Sequence, residues 1–151
     1  MLRDSARHAF AVSEIEMVAY DQSPRTYPVP ASPAYCPELI LWQQRLIPLL
    51  HLARLFEPHA RGDNTHIGIF AYQPGSGSAL DYLALSLSGA PEKIEVTENT
   101  VAALPHRYND PLLRPLAISC FSHQGESVPI LEVSYLASAT MRDSLHDRAA
   151  A

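Results

Sequence analysis

Cys120 and His123 are the residue types of a nucleophile and its base, and they stand three positions apart in ISCFSH. A thiolate needs its base within hydrogen-bond reach. On a strand, a separation of three sends the two side chains to opposite faces, so the pair reads as a packed thiol and an unrelated histidine rather than a hydrolase. Seven histidines invite a metal site. His51, His59 and His66 are widely spaced, His106 and His123 lie elsewhere, and none shows the close pairing of a zinc motif. QPGSGSA, residues 73–79, has the glycines of a phosphate-cradling loop without its lysine or the helix that follows one, and reads as a hairpin turn. The sequence therefore predicts no catalytic residue, no metal and no cofactor. His51, flanked by Leu50 and Leu52, is expected to point away from both, solvated or hydrogen-bonded.

The bulk numbers narrow the alternatives. A chain of 151 residues suits one ordinary domain or two small units sharing a core. Net charge is −5, and its ten arginines and single lysine, Lys93, are scattered without glycine-rich or aromatic companions. Nucleic-acid binding draws on a concentrated positive field, so none is expected. No segment approaches the roughly 20 apolar residues that span a bilayer, and two distant cysteines in apolar surroundings read as reduced core thiols. Both point to a cytoplasmic protein with no membrane insertion.

The elements that must position these residues are short. AFAV reads as a strand, and in SEIEMVAY Ser13 can cap a turn that Glu16 closes three positions on. Residues 23–37 hold five prolines and predict an extended connection. ELILW and RLIPLL form a hairpin across Gln43–Arg45, followed by a helical turn over Ala53–Phe56 and a loop at 58–65. HIGIFAY and DYLALSLSG give two more strands, IEV a short one, and LAISCFSH with SVPILEVSYLA a closing hairpin. RDSLHDRAAA is a polar tail or a frayed helical stub. A period of two, broken every 8 to 12 residues, favours an all-β architecture of small barrels or a sandwich.

The chain also repeats itself. LIPLLHLARLF, from Leu46, is echoed by SVPILEVSYLA, from Ser127, at an offset of 81 positions: Ile47/Val128, Pro48/Pro129, Leu49/Ile130, Leu50/Leu131, Leu52/Val133 and Leu55/Leu136 agree in kind. Two related units too small to stand alone should share a seam of apolar side chains.

VPASPAYCPELILWQQRLIPLLHLARLF, residues 29–56, resembles without a gap the VPNAPPYVRGVINLRGRVVPVIDLRRRF region of the CheW-like adaptor family of bacterial chemosensory systems. AFAVSEIEMVAY, YLALSLSGAPEKIEV and SCFSHQGESVPILEVSYLA resemble neighbouring family segments, so the likeness runs over residues 9–137. It implies an all-β fold of two five-stranded SH3-like barrels packed around a shared core. It also implies a single domain over 1–151, with subdomains at 9–65 and 66–115, the closing hairpin at 116–137 and the tail at 138–151. The implied function is non-enzymatic: an adaptor coupling a histidine kinase regulatory domain to the cytoplasmic tip of chemoreceptors. Service in pilus-linked or surface motility signalling, or a component that binds one partner and caps arrays, are further expectations.

Departures from the family pattern select the candidate site. The Asn-Leu-Arg-Gly turn falls on Leu41, Trp42, Gln43 and Gln44, replacing an arginine and a glycine with glutamines. Trp42 reads either as an aromatic anchor at a protruding turn or as cover for a core end. Glu14 and Glu16 match family positions near a kinase contact. The partner-binding expectation therefore rests on Glu14, Glu16, Trp42, Gln43 and Gln44. The acid of the family's Pro-x-x-Asp-Leu phrase becomes His51, while Glu132 keeps it in the second copy. MLRDSAR makes a poor first strand, which leaves two expectations open: the first unit is completed differently, or an edge is exposed to a partner or to self-association with a second copy.

Overall fold

The computed structural model describes residues 1–62 and 65–150. Ten strands run in chain order: β1 (Leu2–Arg3), β2 (Ala9–Phe10), β3 (Met17–Gln22), β4 (Thr26–Pro28), β5 (Glu38–Trp42), β6 (Arg45–Leu50), β7 (His66–Tyr72), β8 (Asp81–Leu87), β9 (Ala117–His123) and β10 (Glu126–Leu131). Helix α1 (Ala53–Phe56) follows β6, α2 (Val133–Leu136) follows β10, and α3 (Ala139–Ala150) ends the chain. Three 3-10 turns lie between β8 and β9.

Strands β3–β8 form one six-stranded sheet in the order β3-β7-β8-β6-β5-β4, antiparallel except where β6 meets β8 with Leu49 beside Ala84. The pairs β1–β2 and β9–β10 are separate antiparallel ladders, joined where Ala11 bridges Ile130 in parallel. Among the described residues no sheet closes on itself, which corrects the expected all-β pair of SH3-like barrels: β3 and β4 are the two edges of the large sheet. The proline run explains one edge, because β4 stops at Pro28 after three residues and a chain without these backbone donors cannot extend the ladder. The β1–β2 ladder is short, with two residues in each strand.

The second correction lies in the echo. EVSYLA was expected to be strand, yet β10 ends at Leu131 and Val133–Leu136 turn into α2. IEV, residues 94–96, carries no regular structure. The polar tail is a helix: Ser138 Oγ accepts the Met141 amide at 3.2 Å, Met141 is fully buried, and Arg148 grips Asp110 through two hydrogen bonds of 2.6 and 2.7 Å. Of the predicted loop at 58–65, residues 63 and 64 lie outside the described residues, as does residue 151 of the tail.

The 81-residue offset runs through the backbone. Gln43 and Gln44 between β5 and β6 have φ of 46° and 62°, and their counterparts Gln124 and Gly125 have 51° and 79°. Two left-handed central residues are what a type I′ hairpin requires. The His51 amide donates to the Tyr35 carbonyl at 2.7 Å, as the Glu132 amide does to Leu116 at 2.9 Å. Ile40 pairs with Thr26, and its counterpart Phe121 bridges Val101, which stands 75 positions after Thr26 because the connections differ in length. The parallel contact of β6 with β8 reappears as Ile130 against Ala11. Residues 88–92 complete the correspondence by bonding to β1, with the Ser88 amide donating to Arg3 and the Glu92 amide to Met1. Of the two alternatives for this poor first strand, the structure shows the first: residues 88–92 bond along it.

One apolar core unites both sets of strands. Leu50, Phe70 and Leu85 from the large sheet, with Leu52 just before α1, pack with Phe10, Leu116, Leu131 and Val133. A second cluster, Ile40, Ile47, Leu49, Ile67, Ile69 and Ala84, lies on the opposite face of the large sheet, as strand alternation requires.

Candidate partner-binding surfaces

The expected site residues occupy two places. Glu14 and Glu16 stand on the turn before β3, which closes when the Ser13 carbonyl accepts the Glu16 amide at 3.1 Å and the Glu16 carboxylate accepts the Ser13 amide at 3.2 Å. Only the Glu16 half of the expected capping box forms, because the Glu16 amide goes to the Ser13 carbonyl and not to its hydroxyl. Both glutamates line a cleft of about 580 Å³ whose apolar wall includes Ile15, Val96, Ile118 and Ile130. Glu14 pairs with Lys93 at 2.8 Å in full solvent, where such a contact adds little. Glu16 is half-buried, and loss of solvent is the main reason its carboxyl titrates above the usual range; the Ser13 amide opposes that shift, and Glu132 adds to it. Ile15 is 87% exposed and Ile118 63%, so the cleft offers apolar contact beside carboxylates.

Trp42, Gln43 and Gln44 lie at the β5–β6 turn. Alternation along β5 puts Trp42 on the face of Ile40, where it packs against the second cluster and meets the Tyr82 ring at 4.9 Å. Arg45, its register partner, also reaches the Tyr82 ring, 5.2 Å from its centroid, and lies 3.6 Å from Asp81. Trp42 thus covers one end of the sheet and holds the turn from beneath. Gln43 and Gln44 are exposed at its tip and offer neutral hydrogen-bonding groups.

His51 departs from its expected setting. It follows the last residue of β6, so alternation no longer governs it, and it is only 2% exposed. Its Nε2 is 3.7 Å from the Glu38 carboxylate, beyond hydrogen-bond length, and neither ring nitrogen has a hydrogen-bond partner among the described residues. Burial chiefly, and the Arg54 charge after it, hold its pKa below the ordinary value, with Glu38 opposing them. Gly62 seals the ring: a Cβ there would stand 2.6 Å from Nδ1.

The Cys120 thiol is buried, contacts the Ala103 carbonyl at 3.5 Å, and is pushed up in pKa by desolvation, the reverse of what a nucleophile needs. Among the described residues no group of three or more His, Cys, Asp or Glu is placed to hold a metal ion. No helix among them is long and apolar enough to cross a membrane.

Sequence reasoning missed one surface. Leu41 and Leu46 face each other across the β5–β6 ladder on the side away from Trp42, 53% and 59% exposed. The signal was present in the repeat, where Leu46 meets Ser127.

No protein-family model matches the chain, and no curated protein matches it in sequence. Among solved structures it is similar to the crystal structure of scaffolding protein TtCheW from Thermoanaerobacter tengcongensis, with a TM-score of 0.65 and 15% identity over 89% of this chain and 83% of that one. At that identity the likeness resides in how the strands are ordered and paired. The chain has the CheW fold, at a divergent level of sequence.

Proposed function

We propose that this protein is a non-enzymatic scaffold of a chemosensory system, working in the cytoplasm and joining a histidine kinase regulatory domain to the cytoplasmic tip of a chemoreceptor. The observation that carries the reading is the backbone likeness to a scaffolding protein across nearly the whole chain. The surface chemistry supports it: an apolar cleft beside Glu14 and Glu16, and a protruding turn at Gln43–Gln44 backed by Trp42, offer contact area rather than perturbed catalytic groups. A contact made through Gln43 and Gln44 depends on neutral hydrogen bonds, so its affinity should vary little with salt.

The test is retention of both partners. The purified protein, immobilised, is offered the kinase regulatory domain and the receptor tip from the same genome, separately and together. A coupler retains each alone and both at once. Retention of one only would favour a component that caps or competes within arrays, and retention of neither would sink the scaffold reading. Service to a pilus-linked system is a narrower form of the proposal, tested by whether the retained kinase belongs to that gene cluster.

A further inference from the structure

The two halves of the molecule differ on one face, and the difference acts as an internal control. On the side of β4–β6 that carries Leu41, the register brings together Arg25, Tyr27, Leu39, Leu41, Leu46 and Pro48. The 81-residue correspondence places Cys120, Ser122, Ser127 and Pro129 at the points of Leu39, Leu41, Leu46 and Pro48, with Ser122 paired to Ser127 as Leu41 is to Leu46, and the antiparallel bridge of Val101 to Phe121 puts Thr100 and Ala102 beside them where Arg25 and Tyr27 lie in the first half. The same hairpin, with the same left-handed turn, is thus built with serines in one copy. Leucines 53% and 59% exposed at those points are not required by the fold.

The rim has a charge to match. Arg25 precedes β4 and lies 5.3 Å over the Tyr27 ring, which fixes it on this face. No acidic group among the described residues pairs with it, although the chain carries an excess of acids. Neighbouring strands are about 4.8 Å apart, so Leu46, Leu41 and Arg25 form a row roughly 9.6 Å long across three strands. A helix rises about 1.5 Å per residue and covers about 10.5 Å in seven.

We infer that this face docks an amphipathic helix laid across the strands, with an aliphatic residue at i on Leu46, another at i+3 or i+4 on Leu41, and an Asp or Glu at i+7 on Arg25. The helix buries the leucine pair, and its carboxylate meets an arginine already held by Tyr27. The inference deepens the scaffold reading by naming the kind of segment one surface accepts. Its failure removes this face and leaves the retention of kinase and receptor untouched.

The experiment uses the full chain, labelled with nitrogen-15, and two capped alanine-rich helical peptides. Both carry leucines at i and i+4; one carries glutamate at i+7 and the other lysine. The glutamate peptide should shift amide signals of Tyr27, Leu39, Leu41 and Leu46, with affinity several-fold above that of the lysine peptide, and Arg25→Glu should reverse the preference. A Leu41→Ser, Leu46→Ser protein, copied from Ser122 and Ser127, should keep its melting temperature and lose the shifts. Shifts that fall elsewhere, equal affinity for both peptides, or no binding would overturn the proposal. So would a double-serine protein that no longer folds, since the leucines would then serve the core. An oligomer that the double-serine change dissociates would assign the face to a second copy of the chain instead.

Discussion

A neutral imidazole at residue 51 is a condition of the native packing. His51 is shut in by Gly62 and lies 3.7 Å from the Glu38 carboxylate, so protonating it places a charge where, among the described residues, no hydrogen bond receives it. Its folded pKa lies below the ordinary value of about 6.5, so the unfolded chain binds the proton first. Stability from this group is therefore complete above about pH 6.5 and falls as pH drops toward the folded pKa. The pairs Arg3–Glu126 and Arg148–Asp110 depress carboxyl pKa values, that of Asp110 to about 2, so their contributions are lost only at lower pH. Urea unfolding midpoints should accordingly fall between pH 7.5 and 5, and His51→Gln should flatten most of that slope; an unchanged slope in the variant would assign it to other groups. The sequence marked His51 as a substitution for an acid. It gave no sign of burial, because burial comes from the loop at Gly62 folding over a position where the strand has already ended.

Hairpins were the most legible elements, because paired apolar runs around polar turn residues have a local physical cause. Less legible were the ends: alternation in SVPILEVSYLA continues past Leu131, and the turn into α2 is set by Val133 and Leu136 reaching the shared core. Turn conformation was hidden too, since glutamine at both central positions of a type I′ turn is not its usual residue. Gln44 holds a φ of 62°, which costs a side-chain-bearing residue about 1 kcal/mol relative to glycine, partly offset by glycine's greater freedom when unfolded. Gln44→Gly should therefore stabilise the protein by about 0.5 kcal/mol. Gly125→Ala should destabilise it by about 1 kcal/mol, although an added Cβ there meets nothing within 4 Å, because the penalty is conformational rather than steric. Thermal melts of the two variants check this pair, and melting temperatures moving in the same direction would contradict the conformational account.

For the whole molecule, the repeat announced a duplicated hairpin but not how the chain is shared between the copies. The ladder β1–β2, at the start of the chain, joins β10 near its end through Ala11 and Ile130, and residues 88–92 return to cover β1. No local pattern encodes a contact between segments so distant, which is why MLRDSAR looked like a defective strand rather than a partner for a distant one. The consequence is energetic. Leu50 and Leu131, equivalent in the repeat, are both buried in one cluster with Leu52, Leu116 and Val133, so neither sheet keeps its apolar face without the other. Leu50→Ala and Leu131→Ala should each cost about 2–5 kcal/mol. Trp42, the single tryptophan, lies in the half that contains Leu50, so its fluorescence reports that half directly. If the halves unfold as one, Leu131→Ala moves the Trp42 transition by an amount comparable to Leu50→Ala and leaves it a single step. A Trp42 transition that shifts with Leu50→Ala alone, while amide protection in β9 and β10 collapses separately on Leu131→Ala, would show that the two halves fold independently despite their common core.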